Sequence, residues 1–357
     1  MKLLLRETTD PNGIIYCFPY YDIVEITLWM KIRAYFKLGR IHSAVLTGLA
    51  PVCAAAAIGK SLSLLHYFEL FFIGFLFHIY LFVFNEVHDV EIDKTSKSLA
   101  EKPLVDGSVS LKNAKLVVVT SVVLIFVLTF VFFFEQAFIL MPIGGAALIF
   151  GGLYDHLGKR VPHADYFIAL MIFFVAIYGG FSVLTDLSLF VYVIALLALV
   201  QMLINNIIAG LKDVDHDYVI GGLSTSLRMG VRLEGEHFLV STGFIGYVVF
   251  LKIVHSSLVI FPFLTHLIPF ESWQFYIVLI LIVITVIFMV RFLTIKIFHR
   301  EKITRAIGFH EMFAFMVIPF LLLGNIGYEA AVILVLLPVI WLGVFLFVMY
   351  GKLMPAI

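Results

Sequence analysis

Glu86, Asp89 and Asp93 close an apolar run that begins at Leu64, and no turn signal separates them from it. Read as one helix at about 100° per residue, the three acids share an arc of roughly 60°. Asn85 sits at the edge of that arc, and Glu91 points to the other side. Three carboxylates on one stripe repel each other, and each charge costs roughly 2.5–3.5 kcal/mol at mid-membrane, less toward the ends. A divalent cation held by oxygen ligands removes both penalties. The run Leu187–Ala209 ends in the same way, in Gly210-Leu211-Lys212-Asp213-Val214-Asp215-His216-Asp217. There Asp213 and Asp217 are i, i+4 neighbours, Asn206 and Gly210 extend their stripe, and Asp215 is expected to point away.

The elements that must position these acids are membrane helices. The chain is 62% hydrophobic and 13% charged over 357 residues, with a mean hydropathy of +1.08, which no soluble globular domain shows. Candidate spans fall at roughly 43–62, 64–84, 116–134, 137–153, 164–184, 188–209, 238–260, 273–293, 309–324 and 328–350. The expected fold is an all-α, polytopic membrane bundle of roughly nine helices, or ten. The prolines at 262 and 269 and the last two segments leave the count open. Residues 1–40 read as a tail, with a turn at Pro11-Asn12-Gly13, followed by an interfacial amphipathic helix or a charged lead-in. Residues 41–357 read as one transmembrane domain. Cys17 and Cys53 form no disulfide or thiolate pattern, and the N-terminus is too weakly apolar for a cleavable signal peptide.

Of the 24 Lys and Arg, only Lys60, Lys252 and Lys352 fall off one side of this topology. By the positive-inside rule the charged side is cytoplasmic, and both acidic stripes end there. The expected location is therefore a cell membrane, multi-pass, with the acids toward the cytoplasm. Helices two and six lie four apart and each ends in an Asn and spaced acids, which hints at duplication of a four-helix unit.

Basic residues accompany each stripe. Lys94 and Lys102 follow the first, Lys212 lies inside the second, and Tyr154 with Lys159-Arg160 follows the fourth span. Acids and bases facing one cavity suit a diphosphate, with Mg²⁺ shared between carboxylates and phosphate oxygens and Lys or Arg neutralising the rest. In a lipid-embedded bundle, the ligand would be an amphiphile whose tail lies between helices. Nothing in the charge pattern points to nucleic acid.

At these residues the chain resembles the UbiA superfamily of intramembrane prenyltransferases. Asn-[Asp/Glu]-x-x-Asp-x-x-x-Asp at 85–93 is similar to its first motif. Lys212-Asp213-Val214-x-x-Asp217, then Gly221 and Thr225, is similar to its second. Lys102-Pro103-Leu104-x-x-Gly107-x-Val109-Ser110, Leu38-Gly39-Arg40 and Tyr154 with Lys159-Arg160 also match. The resemblance runs from about Arg40 to Gly230. It implies a horseshoe bundle around a central cavity. Asn85, Glu86, Asp89, Asp93, Asp213 and Asp217 would bind Mg²⁺, with the aspartates catalytic through it. Arg40, Lys102, Tyr154, Lys159, Arg160, Asn206 and Lys212 would line the diphosphate site. Three positions depart from the pattern: Glu86 for Asp, Lys102 for Arg, which loses the bidentate fork, and Gly210 where many members carry a further Asp. The Tyr154-to-Lys159 spacing is also one residue longer than in some subfamilies.

The implied activity is prenyl transfer from a prenyl diphosphate. The acceptor could be an aromatic quinone precursor, a glycerol-phosphate lipid, a sugar phosphate or a porphyrin. A terpene cyclase would keep the metal motifs without an acceptor. A cation transporter would place its acids near mid-span rather than among basic loops at one end. Simpler readings stand beside the functional ones. Lys102, Lys159 and Arg160 double as topology anchors, and Arg228, Arg232 and the cluster Arg291–Arg305 read as topology signals. His88 and His216 read as solvated bystanders on other faces. Asn205-Asn206 serves helix contacts or the site. His310-Glu311 fits no metal motif. The Gly-rich 144–152 and Ala-rich 54–57 stretches read as close packing.

Overall fold

Ser63, Ser110 and Ser241 each stand just before an apolar run, and each caps the helix that follows. Their hydroxyls accept the backbone N–H of His66, Asn113 and Phe244 at 3.1, 3.2 and 3.1 Å, which satisfies donors that the first helical turn leaves unpaired. The computed structural model describes residues 5–9, 15–95, 99–158, 160–219 and 221–351. The expected turn at 11–13 lies outside these residues, as do Lys159 and Lys352.

A short hairpin, β1 (Leu5–Thr9) and β2 (Ile15–Pro19), precedes helix α1 (Tyr20–Leu38). The bundle continues with α2 (Ala44–Ala56), α3 (Leu64–Asp93), α4 (Leu111–Phe132), α5 (Ala137–Leu157), α6 (Asp165–Phe181) and α7 (Leu189–Ala209). Two short helices, α8 (Val214–Val219) and α9 (Thr225–Arg228), lead to a second hairpin, β3 (Arg232–Glu234) and β4 (His237–Leu239). Then come α10 (Thr242–Leu264), α11 (Ser272–Leu293), α12 (Arg300–Phe315) and α13 (Val317–Tyr350). Gly327, at φ 78°, interrupts α13, between the two segments expected from sequence.

Among the described residues, seven helical stretches are long and apolar enough to cross a bilayer, or eight if the bent pair Leu28–Leu38 and Ile41–Ala56 is one span. Helix α6 is apolar but shorter, and Arg300–Tyr350 counts as a single stretch. The expected count of nine or ten is therefore not what length and apolarity alone return. The difference lies in short α6 and in the broken helices at either end.

From α2 to α7 and from α10 to α13 consecutive helices pack side by side, α7 adjoins α10, and α13 returns to α2 and α1. Helix α2 lies inside, against α3, α6, α7 and α13. Its neighbours approach backbone to backbone. A Cβ on Gly74 would fall 2.8 Å from the Thr47 carbonyl and 2.9 Å from Gly48 Cα, and one on Gly179 would fall 1.9 Å from the Pro51 carbonyl. Small residues permit this contact, and in lipid it substitutes for hydrophobic driving force between helices. Ala54–Ala57 are buried as expected. Of the Gly-rich stretch, Gly151 meets Met171 while Gly145 faces open space. On the outside, α4 exposes Leu116, Val119, Val123, Val127 and Phe130, and α11 exposes Tyr276, Ile280, Val283, Ile287 and Val290. These apolar outer faces suit lipid. Lys252 and His255 of α10 and His310 of α12 are buried within the bundle.

Candidate active site

Both acidic stripes open onto one cavity of about 1140 Å³. Asn85, Glu86, Asp89 and Asp93 reach it from the last turns of α3, and Asp213 and Asp217 reach it from the α7–α8 turn and α8. Arg40, Lys102, Tyr154, Arg160, Asn206 and Lys212 line the same space. Every proposed site residue among those described therefore meets at one end of the bundle.

The first stripe is built as read. Helix α3 runs unbroken through Asp93, so its acids share a face. Glu86, Asp89 and Asp93 are buried, while Glu91 is exposed and pairs with Lys94 at 2.8 Å. Lys102 bridges the stripe, with Nζ 2.7 Å from Asp93 and 3.1 Å from Glu86. Its loop is pinned by Leu104 and Val109, both in the core, and turns at Gly107 with φ 79°. Arg40 approaches from the other side, its guanidinium 2.9 Å from Glu86 and 5.0 Å from the Phe82 ring centroid.

Arg40 stands at a 57° bend between α1 and α2 with φ 44°, a backbone region that side-chain-bearing residues visit at a cost. Neighbours hold it there. The Arg40 carbonyl lies 3.2 Å from His78, His78 contacts Thr47 at 3.1 Å, and Trp341 donates to the Ile41 carbonyl at 2.7 Å. Burial works against the Arg40 charge, and the Glu86 carboxylate outweighs it, leaving the guanidinium pKa raised.

The second stripe departs from its reading. Helix α7 ends at Ala209, residues 210–213 form a turn, and α8 restarts at Val214. The Asp217 amide still donates to the Asp213 carbonyl at 2.8 Å, but the stripe is not one continuous helix. The reset register brings Asp215 to the cavity instead of away from it. Arg300, at the start of α12, lies 2.7 Å from Asp215 and 3.5 Å from Asp213. It is a cavity residue and not merely a topology signal. Gly210 packs against Ser226, and a Cβ there would fall 2.7 Å from Ser226 Oγ, so a further Asp would require that hydroxyl to move. Burial holds Lys212 below its ordinary pKa, and Asp213 beside it works the other way. His88 and His216 also line the cavity, which corrects their assignment to other faces. Both acids and histidines are reached because the cavity wraps around the helix ends.

Tyr154 and Asn206 belong to a network that ties four helices together. Tyr154 donates to Asn206 Oδ1 at 3.2 Å, Asn206 donates to Asp165 at 2.5 Å, and Thr225 donates to the other Asp165 oxygen. Asp165 escaped the sequence reading because a lone acid in the first turn of a helix reads as a terminal charge. Asp155 escaped it as well. It follows Tyr154 on α5, lines the cavity and is buried. Its only signal was adjacency to a matched tyrosine.

The donor set fits Mg²⁺ shared with a ligand. Among the described residues no three acids or histidines form a ready-made cluster, and Lys102, Arg40 and Arg300 already hold several of the carboxylates. Magnesium commonly uses one or two carboxylates, with phosphate oxygens and waters completing its octahedron.

Residues 44–313 match the profile of the UbiA prenyltransferase family. A structure of digeranylgeranylglyceryl phosphate synthase aligns with a TM-score of 0.60 at 20% identity, covering 84% of this chain and 99% of that one. A UbiA homolog from Aeropyrum pernix K1 aligns at 0.60 and 15%, covering 82% and 97%. A UbiA homolog from Archaeoglobus fulgidus bound to GPP and Mg²⁺ aligns at 0.57 and 18%, covering 80% and 99%. At these identities the structures speak to the fold. A comparison with curated proteins gave no significant match.

Proposed function

The chain belongs to the UbiA prenyltransferase family, and on that premise we propose that it moves a prenyl group from a prenyl diphosphate to an electron-rich acceptor at the membrane surface. The observation that carries this reading is the convergence of both acidic stripes, with their bases, on one cavity at the helix ends. A transporter would need acids along a path through the bundle; here they collect at one end. That a UbiA homolog has been solved with GPP and Mg²⁺ and again with DMAPP and Mg²⁺ supports the same donor class.

In this proposal Asn85, Glu86, Asp89 and Asp93 hold Mg²⁺ from one wall, and Asp213 and Asp217 hold it from the other. When bound, Mg²⁺ neutralises charge on the departing diphosphate. Lys102, Arg40 and Lys212 add fixed positive charge around the phosphates, with Arg160 at the rim and Lys159 beside it in sequence. Tyr154, oriented by Asn206 and Asp165, presents its ring and hydroxyl to the same space. As the allylic carbon–oxygen bond breaks, the carbon becomes cation-like and the acceptor's electron pair closes the new bond. The apolar bundle keeps water from that carbon.

Residues 41–357 form the catalytic unit in this account. The exposure of Leu28, Trp29 and Met30 on α1 supports reading the segment before residue 41 as an interfacial lead-in. The excess of Lys and Arg on the cavity side supports a cytoplasmic orientation of the site. Asp89→Asn and Asp213→Asn should each abolish diphosphate release from a prenyl diphosphate in nanodiscs. Retained turnover in both variants removes the metal assignment. Product analysis with a labelled prenyl diphosphate and membrane extract identifies the acceptor.

A further inference from the structure

Asp155 is in the last turn of α5, outside both acidic motifs, and only 7% of it is exposed. Neither carboxylate oxygen has a hydrogen-bond partner. The Asn85 side chain approaches it without reaching ordinary hydrogen-bond geometry, and Asp89 lies within electrostatic reach. Three penalties coincide here. A buried polar group without a partner is costly. A second carboxylate nearby repels it. The C-terminal end of a helix carries partial negative charge and disfavours an anion. Protonating Asp155 would relieve the last two penalties but still leave a polar group unsatisfied. A cation relieves all three.

We propose that Asp155 is a Mg²⁺ ligand of this chain, paired with Asp89 and supported by Asn85. The site then spans α3 and α5, two helices that pack directly against each other. Two carboxylates and an amide oxygen leave room in an octahedron for diphosphate oxygens and water. The assignment also accounts for Gly210. The chain lacks an acid there, and Asp155 supplies a carboxylate from a different helix. This inference rests on the proposed prenyl-diphosphate reading for its ligand, but the metal site is separately measurable.

The test is a Mn²⁺ titration of the full-length protein in detergent, read by the free-ion EPR signal, with and without inorganic pyrophosphate. Asp155→Asn should weaken Mn²⁺ binding at least ~10-fold, and Asp155→Glu should retain more of it. In metal-free buffer Asp155→Asn should melt no lower than the parent, and Mn²⁺ should raise the parent's melting temperature more than the variant's. Unchanged Mn²⁺ affinity in Asp155→Asn overturns the proposal. So does a metal-free melting temperature that falls in Asp155→Asn, because a structural carboxylate would then be the better account. A parent that binds Mn²⁺ through Asp155 yet releases no diphosphate from prenyl diphosphates would refute the enzymatic reading alone. Full turnover with unaltered Mn²⁺ binding in Asp155→Asn would refute this inference alone.

Discussion

Lys102→Ala separates the electrostatic role of the loop after α3 from a steric one. Lys102 Nζ lies 2.7 Å from Asp93 and 3.1 Å from Glu86, and the two carboxylates are 2% and 5% exposed at their side chains. With an effective dielectric of about 20, attraction at the shorter distance is about 6 kcal/mol. Desolvating the ammonium costs several kcal/mol, and Glu86 keeps Arg40 after the change. The net loss should be about 2–3 kcal/mol, below the ~3–5 kcal/mol seen when a wholly buried pair loses one partner. Equilibrium unfolding in mixed micelles without divalent ions should show this loss for Lys102→Ala and a much smaller one for Lys102→Arg. Mg²⁺ with pyrophosphate should restore part of it, since the metal supplies positive charge to the same carboxylates. A Lys102→Ala protein as stable as the parent, or equal losses for Ala and Arg, would refute the argument.

Further expectations follow from particular contacts. Arg300→Ala should weaken pyrophosphate binding about 10-fold by calorimetry while changing stability by less than about 1 kcal/mol, because its pairs with Asp213 and Asp215 are partly solvated. Lys252→Met should raise stability by about 1–3 kcal/mol in the same unfolding assay, since Lys252 is buried and its Nζ has no partner. Gly179→Ala should cost more than about 3 kcal/mol or prevent folding, because the new Cβ would stand 1.9 Å from the Pro51 carbonyl and α2 and α6 would have to separate; yield of monodisperse protein in detergent checks it.

The first stripe was legible because one uninterrupted helix carries it, so helical spacing alone put Glu86, Asp89 and Asp93 on one face and Glu91 on the other. The second was only half legible. Gly210 lies just beyond the end of α7, the chain turns through 210–213, and the periodic reading that worked for α3 put Asp215 on the wrong side. Hydropathy located most of the spans, since lipid demands apolar outer faces on α4 and α11. It could not count them at the bend of Arg40 or the break at Gly327, where backbone conformation and not composition decides. Asp155 and Asp165 were invisible because no spaced acid accompanies them in sequence, and Arg300 was hidden in the basic cluster Arg291–Arg305. Only packing of α5, α6 and α12 around the ends of α3 and α7 brings all three to one cavity.

In the proposed site, two distant carboxylate sets hold metal around one diphosphate. A structure of the protein with Mn²⁺ and an unreactive prenyl thiodiphosphate, with the metal located by anomalous scattering, tests it most directly. Metal is expected between the diphosphate and Asp89 on one wall and Asp213 or Asp217 on the other, with the prenyl tail entering the bundle. Metal bound to only one set, or a diphosphate seated outside the cavity lined by Arg40 and Lys102, would contradict it.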